Sequence, residues 1–379
     1  MWLCEDGYII IQKPMQVEAF FNQSSVNEVF ALTLSSYKYI GDGGLIEELM
    51  HPLLQYQQYS TTFLEWWAFL FIQYFLNVPD QGSAILTHIT NFFSLLAGLK
   101  EVSKHVVGLR SPVDTYYPPT YSTSTDKFGL LIHLHGFGSS GAYSGGSYLK
   151  LTQALPQGGY VLMLPNAIKN VQGTRYWKGT DACCDVMNMG VNDAKYIRSL
   201  IKKAVDTGRI DPNKVFISGH SNGAFMSYRF ACEFSDLIAG IIPINGATFY
   251  DNGDCVSLYN SAAPRKMSIL SVHSTADATI LYAGGRILGA TYPSLEGSIA
   301  RWQANLGCTV TDLISSGESF TADSASHVAQ VYVPVADSCP AGAHIEHWKV
   351  VDGVHGPGFT SAFRTKLVAW MDAHPKATE

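Results

Sequence analysis

Five residues constrain this chain more than any other part of it: Gly219-His220-Ser221-Asn222-Gly223. Before them, Lys214–Ser218 (KVFIS) reads as a buried strand, and after them Ala224–Phe234 reads as a helix. A serine between glycines at a strand-to-helix reversal sits on a tight turn above the end of the strand. The glycines answer a close backbone approach that leaves no room for a Cβ. The opening helix also presents unbonded N–H groups beside the hydroxyl. The bare pattern arises by chance roughly 0.2 times in a chain of this size, so its position between strand and helix carries the reading.

Around this turn the pattern repeats. Gly129–Leu134, Tyr160–Leu164, Ile238–Ile244, Met267–Val272 and Ile345–Val351 are further apolar runs of strand length. Val191–Val205, Ser294–Asn305 and Thr360–Met371 carry helical spacing. Strands alternating with helices over about 260 residues predict an α/β fold: one doubly wound, mostly parallel sheet with helices on both faces, spanning residues 111–379. Hydrophobic residues make up 47% and charged residues 15% of the chain, which excludes intrinsic disorder. With 25 Lys/Arg against 31 Asp/Glu, no basic surplus exists to neutralise nucleic-acid phosphates.

Residues 1–110 read differently. They hold 5 Lys/Arg against 10 Asp/Glu, whereas residues 111–379 hold 20 against 21, so the net charge of -6 belongs almost wholly to the first part. Thr61–Val78 carries seven aromatics and one charge, Glu65, and a second apolar stretch covers Ala84–Leu99. The turn signal Pro79-Asp80-Gln81-Gly82 separates them. Neither reaches the roughly 20 apolar residues of a membrane-crossing helix. A mainly helical extension is expected, with a hairpin that lies on a membrane or on the following domain. The extreme N-terminus (MWLCEDGYIII) lacks the basic start of a secretory signal.

A serine hydroxyl becomes nucleophilic when a base takes its proton, and the base needs an orienting carboxylate. Asp277 stands just past the strand Met267–Val272, and His355 stands between the strand Ile345–Val351 and the last helix. The order Ser221, Asp277, His355 therefore nominates nucleophile, acid and base. Asp251, Asp254 and Glu296 are rivals for the acid, and His327, His344 and His347 for the base, in less suitable places. The oxyanion is expected to meet the N–H groups of Asn222 and of Phe137, in the loop after His135-Gly136. The Gly-rich continuation GSSGAYSGGS contains no phosphate-binding G-x-x-x-x-G-K-[ST] pattern. No cofactor is expected. His344 and His347 have no obvious companion ligands, so no metal site is expected either.

Cys183, Cys184, Cys232, Cys255, Cys308 and Cys339 form an even set after residue 110, while Cys4 stands alone before it. This suggests disulfides and an oxidising compartment. No CxxC spacing occurs, which argues against a zinc ribbon or a thioredoxin-type site.

The blocks LLIHLHGFGSSG, RYWKGTDACCD, VNDAKYIRSLI, RIDPNKVFISGHSNGAFMSYRFACE, IAGIIPINGA, SVHSTADATILYAGG, RWQANLGC and VDGVHGPGF are similar to those of a known group. From about residue 111 to 373 the chain resembles the secreted polyhydroxybutyrate depolymerases and feruloyl esterases of the α/β-hydrolase superfamily. The resemblance implies a serine carboxylic ester hydrolase working through an acyl-enzyme, with Ser221, Asp277 and His355 as its triad and a lidless site. The expected substrate is an ester, polymeric or not: a polyhydroxyalkanoate or aromatic polyester, or feruloyl and acetyl esters. A serine peptidase, an acyltransferase and a non-catalytic binding protein are the alternatives. Secretion to the periplasm or outside the cell is implied, and a monomer is favoured. Trp177 resembles the group's aromatic beside the site, and His220 and Tyr143 join it as candidate substrate contacts. A bridge is expected between Cys308 and Cys339, and two more among Cys183, Cys184, Cys232 and Cys255. Of the three pairings open to those four, the vicinal one is least expected, because adjacent cysteines close a strained ring. The chain departs from the group in its long N-terminal extension and in the sequence VHGPGF around the histidine.

Overall fold

The computed structural model describes residues 2–5, 8–11, 110, 112–170, 172–185, 191–258 and 264–377. The chain divides into two units, Met1–Val102 and Ser103–Glu379. In the first, β1 (Trp2–Glu5) pairs antiparallel with β2 (Tyr8–Ile11). The stretches Thr61–Val78 and Ala84–Leu99, expected to form a helical hairpin, lie outside the described residues. Among the described residues, no helix is long and apolar enough to cross a membrane.

The second unit is built on a nine-stranded sheet. Its strands are β3 (Asp114–Tyr116), β4 (Phe128–Leu134), β5 (Tyr160–Leu164), β6 (Ile210–His220), β7 (Gly240–Ile244) and β8 (Ser268–Ser274), then β11 (Leu313–Thr321), β12 (Val328–Pro334) and β13 (His344–Val350). They lie in the order β11-β12-β13-β8-β7-β6-β4-β5-β3. The six from β13 to β5 run parallel, while β3, β11 and β12 are antiparallel to their neighbours. A separate hairpin joins β9 (Gly285–Ile287) to β10 (Ala290–Tyr292).

Side-chain alternation along the central strands supplies both faces with apolar groups. Leu130, Ile132 and Leu134 of β4, Val215 and Ile217 of β6, and Ile269 of β8 point to one face. There they meet α2 (Asp193–Asp206), α3 (Asn222–Phe234) and α5 (Leu295–Asn305) through Ile197, Phe230 and Trp302. Leu131, Phe216, Ile242 and Leu270 point to the other face, against α1 (Leu151–Ala154) and Phe363, Leu367 and Trp370 of α6 (Ser361–Ala373). Helices thus cover both faces, as the apolar runs lead one to expect. The starts of α2, α5 and α6 are set by Asn192, Ser294 and Thr360, whose side chains accept from the backbone N–H three residues on.

Among the described residues, three disulfides form. Cys232 of α3 bridges Cys255 of α4 (Asn252–Leu258), with Cα atoms 5.1 Å apart. Cys308 bridges Cys339 across the base of the β11–β12 hairpin, as expected. Cys183 bridges its neighbour Cys184 across a cis peptide bond, which corrects the expectation that vicinal pairing was the least favoured. The reason is packing: α4 lays Cys255 directly on Cys232, in the core beside the sheet, and the two adjacent cysteines are left to each other.

Candidate active site

β6 ends at His220 and α3 begins at Asn222, so Ser221 alone makes the reversal. Its backbone stands at φ 56° and ψ -119°, a conformation that costs a non-glycine residue of order 1–3 kcal/mol. The surroundings enforce it. The Ser221 N–H donates to the carbonyl of Ile244 at 2.9 Å. A Cβ on Gly219 would collide with the Gly223 carbonyl, and one on Gly223 with the Leu134 carbonyl. The glycines of the pentapeptide are thus required by the packing of the turn against itself and against the end of β4.

Sheet register brings the other two groups to the same end. β8 and β13 are parallel neighbours, paired from Ser268 with His344 to Ser274 with Val350. Asp277 lies three residues beyond the end of β8, and His355 five beyond the end of β13. The two loops are tied together: Thr275 N donates to Val350 O at 2.9 Å, Ala276 N to Gly353 O at 3.0 Å, and Asp352 N to Thr275 Oγ1 at 2.8 Å.

His355 Nδ1 lies 2.7 Å from Asp277 Oδ2, and its Nε2 lies 3.0 Å from Ser221 Oγ. An ionised carboxylate only accepts, so Nδ1 carries the hydrogen and Nε2 is left to accept from the serine. Asp277 Oδ1 also accepts from the N–H groups of Thr279 at 2.8 Å and Ile280 at 2.9 Å. Burial pushes the Asp277 carboxyl up, but the hydrogen bonds and charge of His355 and those two N–H donors outweigh it and hold it below the usual range. Asp277 is buried, while Ser221 and His355 are partly open to solvent. This arrangement can take a proton from a serine hydroxyl and stabilise the imidazolium that results.

β4 ends beside β6, with Leu134 opposite Gly219, so His135-Gly136-Phe137 leave the sheet alongside Ser221. A Cβ on Gly136 would lie 3.5 Å from that of Ser221. The Gly138 N–H donates to Arg175 O at 2.9 Å and turns the loop. The Asn222 N–H lies at the start of α3, ahead of the first intrahelical bond. The Phe137 and Asn222 backbones therefore flank the serine.

His220 Nε2–H donates to the backbone carbonyl of His355 at 2.7 Å. Burial, then repulsion from His355, pushes its pKa down to about 4, and the ring stays neutral. His220 thus braces the histidine loop. Tyr143 is 61% exposed and stacks on Tyr148, whose ring in turn lies against His220.

A family described as Phospholipase/Carboxylesterase matches residues 118–295. Together with a parallel sheet and a serine held at its strand-to-helix turn, this decides the fold. The fold is that of an α/β-hydrolase. Among curated proteins it is similar to a probable acetylxylan esterase A of Neosartorya fischeri, 27% identical over 209 residues, covering 52% of this chain and 50% of that one. It is similar to feruloyl esterase B of Talaromyces stipitatus, 26% identical over 172 residues, covering 45% and 42%. It is also similar to a poly(3-hydroxybutyrate) depolymerase of Ralstonia pickettii, 26% identical over 143 residues, covering 33% and 27%. The chain spans about half the length of the first of these relatives.

In this α/β-hydrolase fold Trp177 does not offer a stacking surface. It is 0% exposed. Its indole N–H donates to the His135 carbonyl at 3.0 Å, and its backbone bonds the Asn222 side chain. A cavity of about 480 Å³ opens beside the Cys183–Cys184 bridge, and Ser221, Asp277 and His355 do not line it.

Two residues of the site escape a sequence reading. Asn245, directly after β7, donates from Nδ2 to the carbonyls of His355 at 2.9 Å and Val354 at 3.3 Å, and accepts from Ser274 N at 2.9 Å. The Asn-Gly pair at a strand end on the serine's side of the sheet was its only signal. His133 of β4 joins Ser218 Oγ and Ser144 Oγ, each at 2.8 Å, and so anchors the π-helical turn Ala142–Tyr148 that carries Tyr143.

Proposed function

We propose that this chain is a serine carboxylic ester hydrolase. The continuous hydrogen-bond line from Asp277 through His355 to Ser221, at 2.7 and 3.0 Å, carries this reading. Ser221 Oγ attacks the ester carbonyl as His355 Nε2 takes its proton. The N–H groups of Phe137 and Asn222 hold the tetrahedral oxyanion. His355 returns the proton to the departing alcohol, and water resolves the acyl-enzyme through the same base. Asp277 holds the imidazole in the tautomer that accepts from the serine.

The rim favours a bulky, accessible ester. Phe137 is 46% exposed, Tyr143 61% and Val354 50%, all close in sequence to the groups just named. Several relatives are named acetylxylan esterases, which makes acetyl esters on a xylan chain the first substrate to test, ahead of feruloyl esters and polyesters. Three disulfides support action in an oxidising, extracellular or periplasmic setting.

The test is hydrolysis of p-nitrophenyl acetate, acetylated xylan, methyl ferulate and polyhydroxybutyrate by the wild type and by Ser221→Ala. The wild type should react covalently with a fluorophosphonate and cleave the aryl ester, and the variant should do neither while keeping its circular dichroism. Equal activity in the variant would remove Ser221 from the reaction.

A further inference from the structure

Three ligand-type side chains meet at the end of the sheet opposite Ser221. His344 and Glu346 are the first and third residues of β13 and so share a face of that strand. His374 directly follows α6. One ligand atom from each lies within 4.8 Å of the other two, and all three residues are partly exposed. His344 Nε2 and Glu346 Oε2 are 3.4 Å apart, which is the edge of a tetrahedron around an ion with bonds of about 2.1 Å.

The outer partners distinguish this cluster from an ordinary surface ion pair. His374 Nδ1–H donates to the Trp370 carbonyl at 2.7 Å, which leaves the lone pair on Nε2. Glu346 Oε1 accepts from the Trp348 indole at 2.6 Å, which leaves Oε2 toward the histidines. Ligating histidines and carboxylates are oriented in this way by a second layer of hydrogen bonds. The His344 and His374 rings stack with centroids 4.4 Å apart.

We propose that His344, Glu346 and His374 form a binding site for a divalent transition-metal ion of the zinc class. Two imidazoles and one carboxylate suit zinc, with a fourth position left to water, whereas calcium and magnesium call for oxygen ligands. β13 has seven residues, about 20 Å of strand, between this cluster and the loop of His355. The ion is therefore structural: it fastens the end of α6 to the start of β13.

The experiment titrates chelator-stripped full-length protein with zinc chloride against a chromogenic chelator, and with cobalt chloride in the visible range. One equivalent of zinc should bind, cobalt should give tetrahedral d–d bands, and zinc should raise the melting temperature. His374→Ala and Glu346→Gln should each weaken binding at least tenfold and abolish the cobalt bands. Glu346→Gln keeps the side-chain shape, so its circular dichroism should match the wild type. The proposal is overturned if the wild type takes up no stoichiometric zinc, or if folded Glu346→Gln takes up as much as the wild type.

Discussion

Asn222 and Trp177 hold each other by two hydrogen bonds, one to Asn222 Oδ1 from the Trp177 N–H at 2.7 Å and one from Asn222 Nδ2 to the Trp177 carbonyl at 2.9 Å. The indole of the same tryptophan donates to His135 at 3.0 Å. One buried residue therefore ties together the two backbone segments proposed to bind the oxyanion. Trp177→Phe should leave the His135 carbonyl unpaired and loosen that spacing. The expected result is a fall in kcat of about tenfold with KM little changed, since the lost bond is worth about 1.4 kcal/mol. Steady-state kinetics on p-nitrophenyl acetate decide it, and an unchanged kcat would refute the coupling.

Asn245 permits a separation of backbone from side-chain effects. It stands at φ 50°, where glycine is comfortable and alanine is not. Asn245→Gly and Asn245→Ala both lose the bonds to the His355 loop and should lose kcat alike, by roughly tenfold or more. Only the alanine variant should carry the extra conformational penalty, visible as a lower melting temperature than that of the glycine variant.

Asp277→Asn should keep the fold but let the amide bond the wrong tautomer of His355. A fall in kcat of roughly a thousandfold or more is expected, with the Ser221 side chain still present. The carboxyl is held below the usual range, so its contribution to stability is present above the unfolded pKa and is lost as pH falls through the folded one. Thermal melts of the wild type should thus show an acid-side decline that is shallower in Asp277→Asn.

Stability should also fall between pH 6.5 and 3 because of His133. Burial lowers its pKa to about 3, so in that window the unfolded chain binds a proton that the folded one refuses. The sign is fixed: stability rises with pH there, by about 1.4 kcal/mol per unit for one such group. His133→Gln can still bridge the two serines without titrating. Its urea-unfolding free energy should change between pH 6.5 and 5 by about 2 kcal/mol less than that of the wild type.

The parallel core was legible because its strands are apolar on both faces, and the meeting of Ser221, Asp277 and His355 followed because each stands just past a strand end. β11 was not legible, since LISSGESFT is mostly exposed and shows no alternation. Trp177 looked like a binding surface because its type says nothing of burial. Its role comes from a neighbour 45 residues away, Asn222. The vicinal bridge was misjudged for a similar reason: pairing depended on where α4 places Cys255, which local spacing does not encode.

β11 is also where the sheet stops, and an unpaired strand edge is an invitation to another chain. Here the edge is a poor template. Its register slips between Ser315 and Ser319, Gly317 turns at φ 79°, and Glu318 within the bulge pairs with Lys366 of α6. A second molecule laid along it would lose the ladder after a few residues. Copies crowded together would therefore find no long, even ladder to extend along β11.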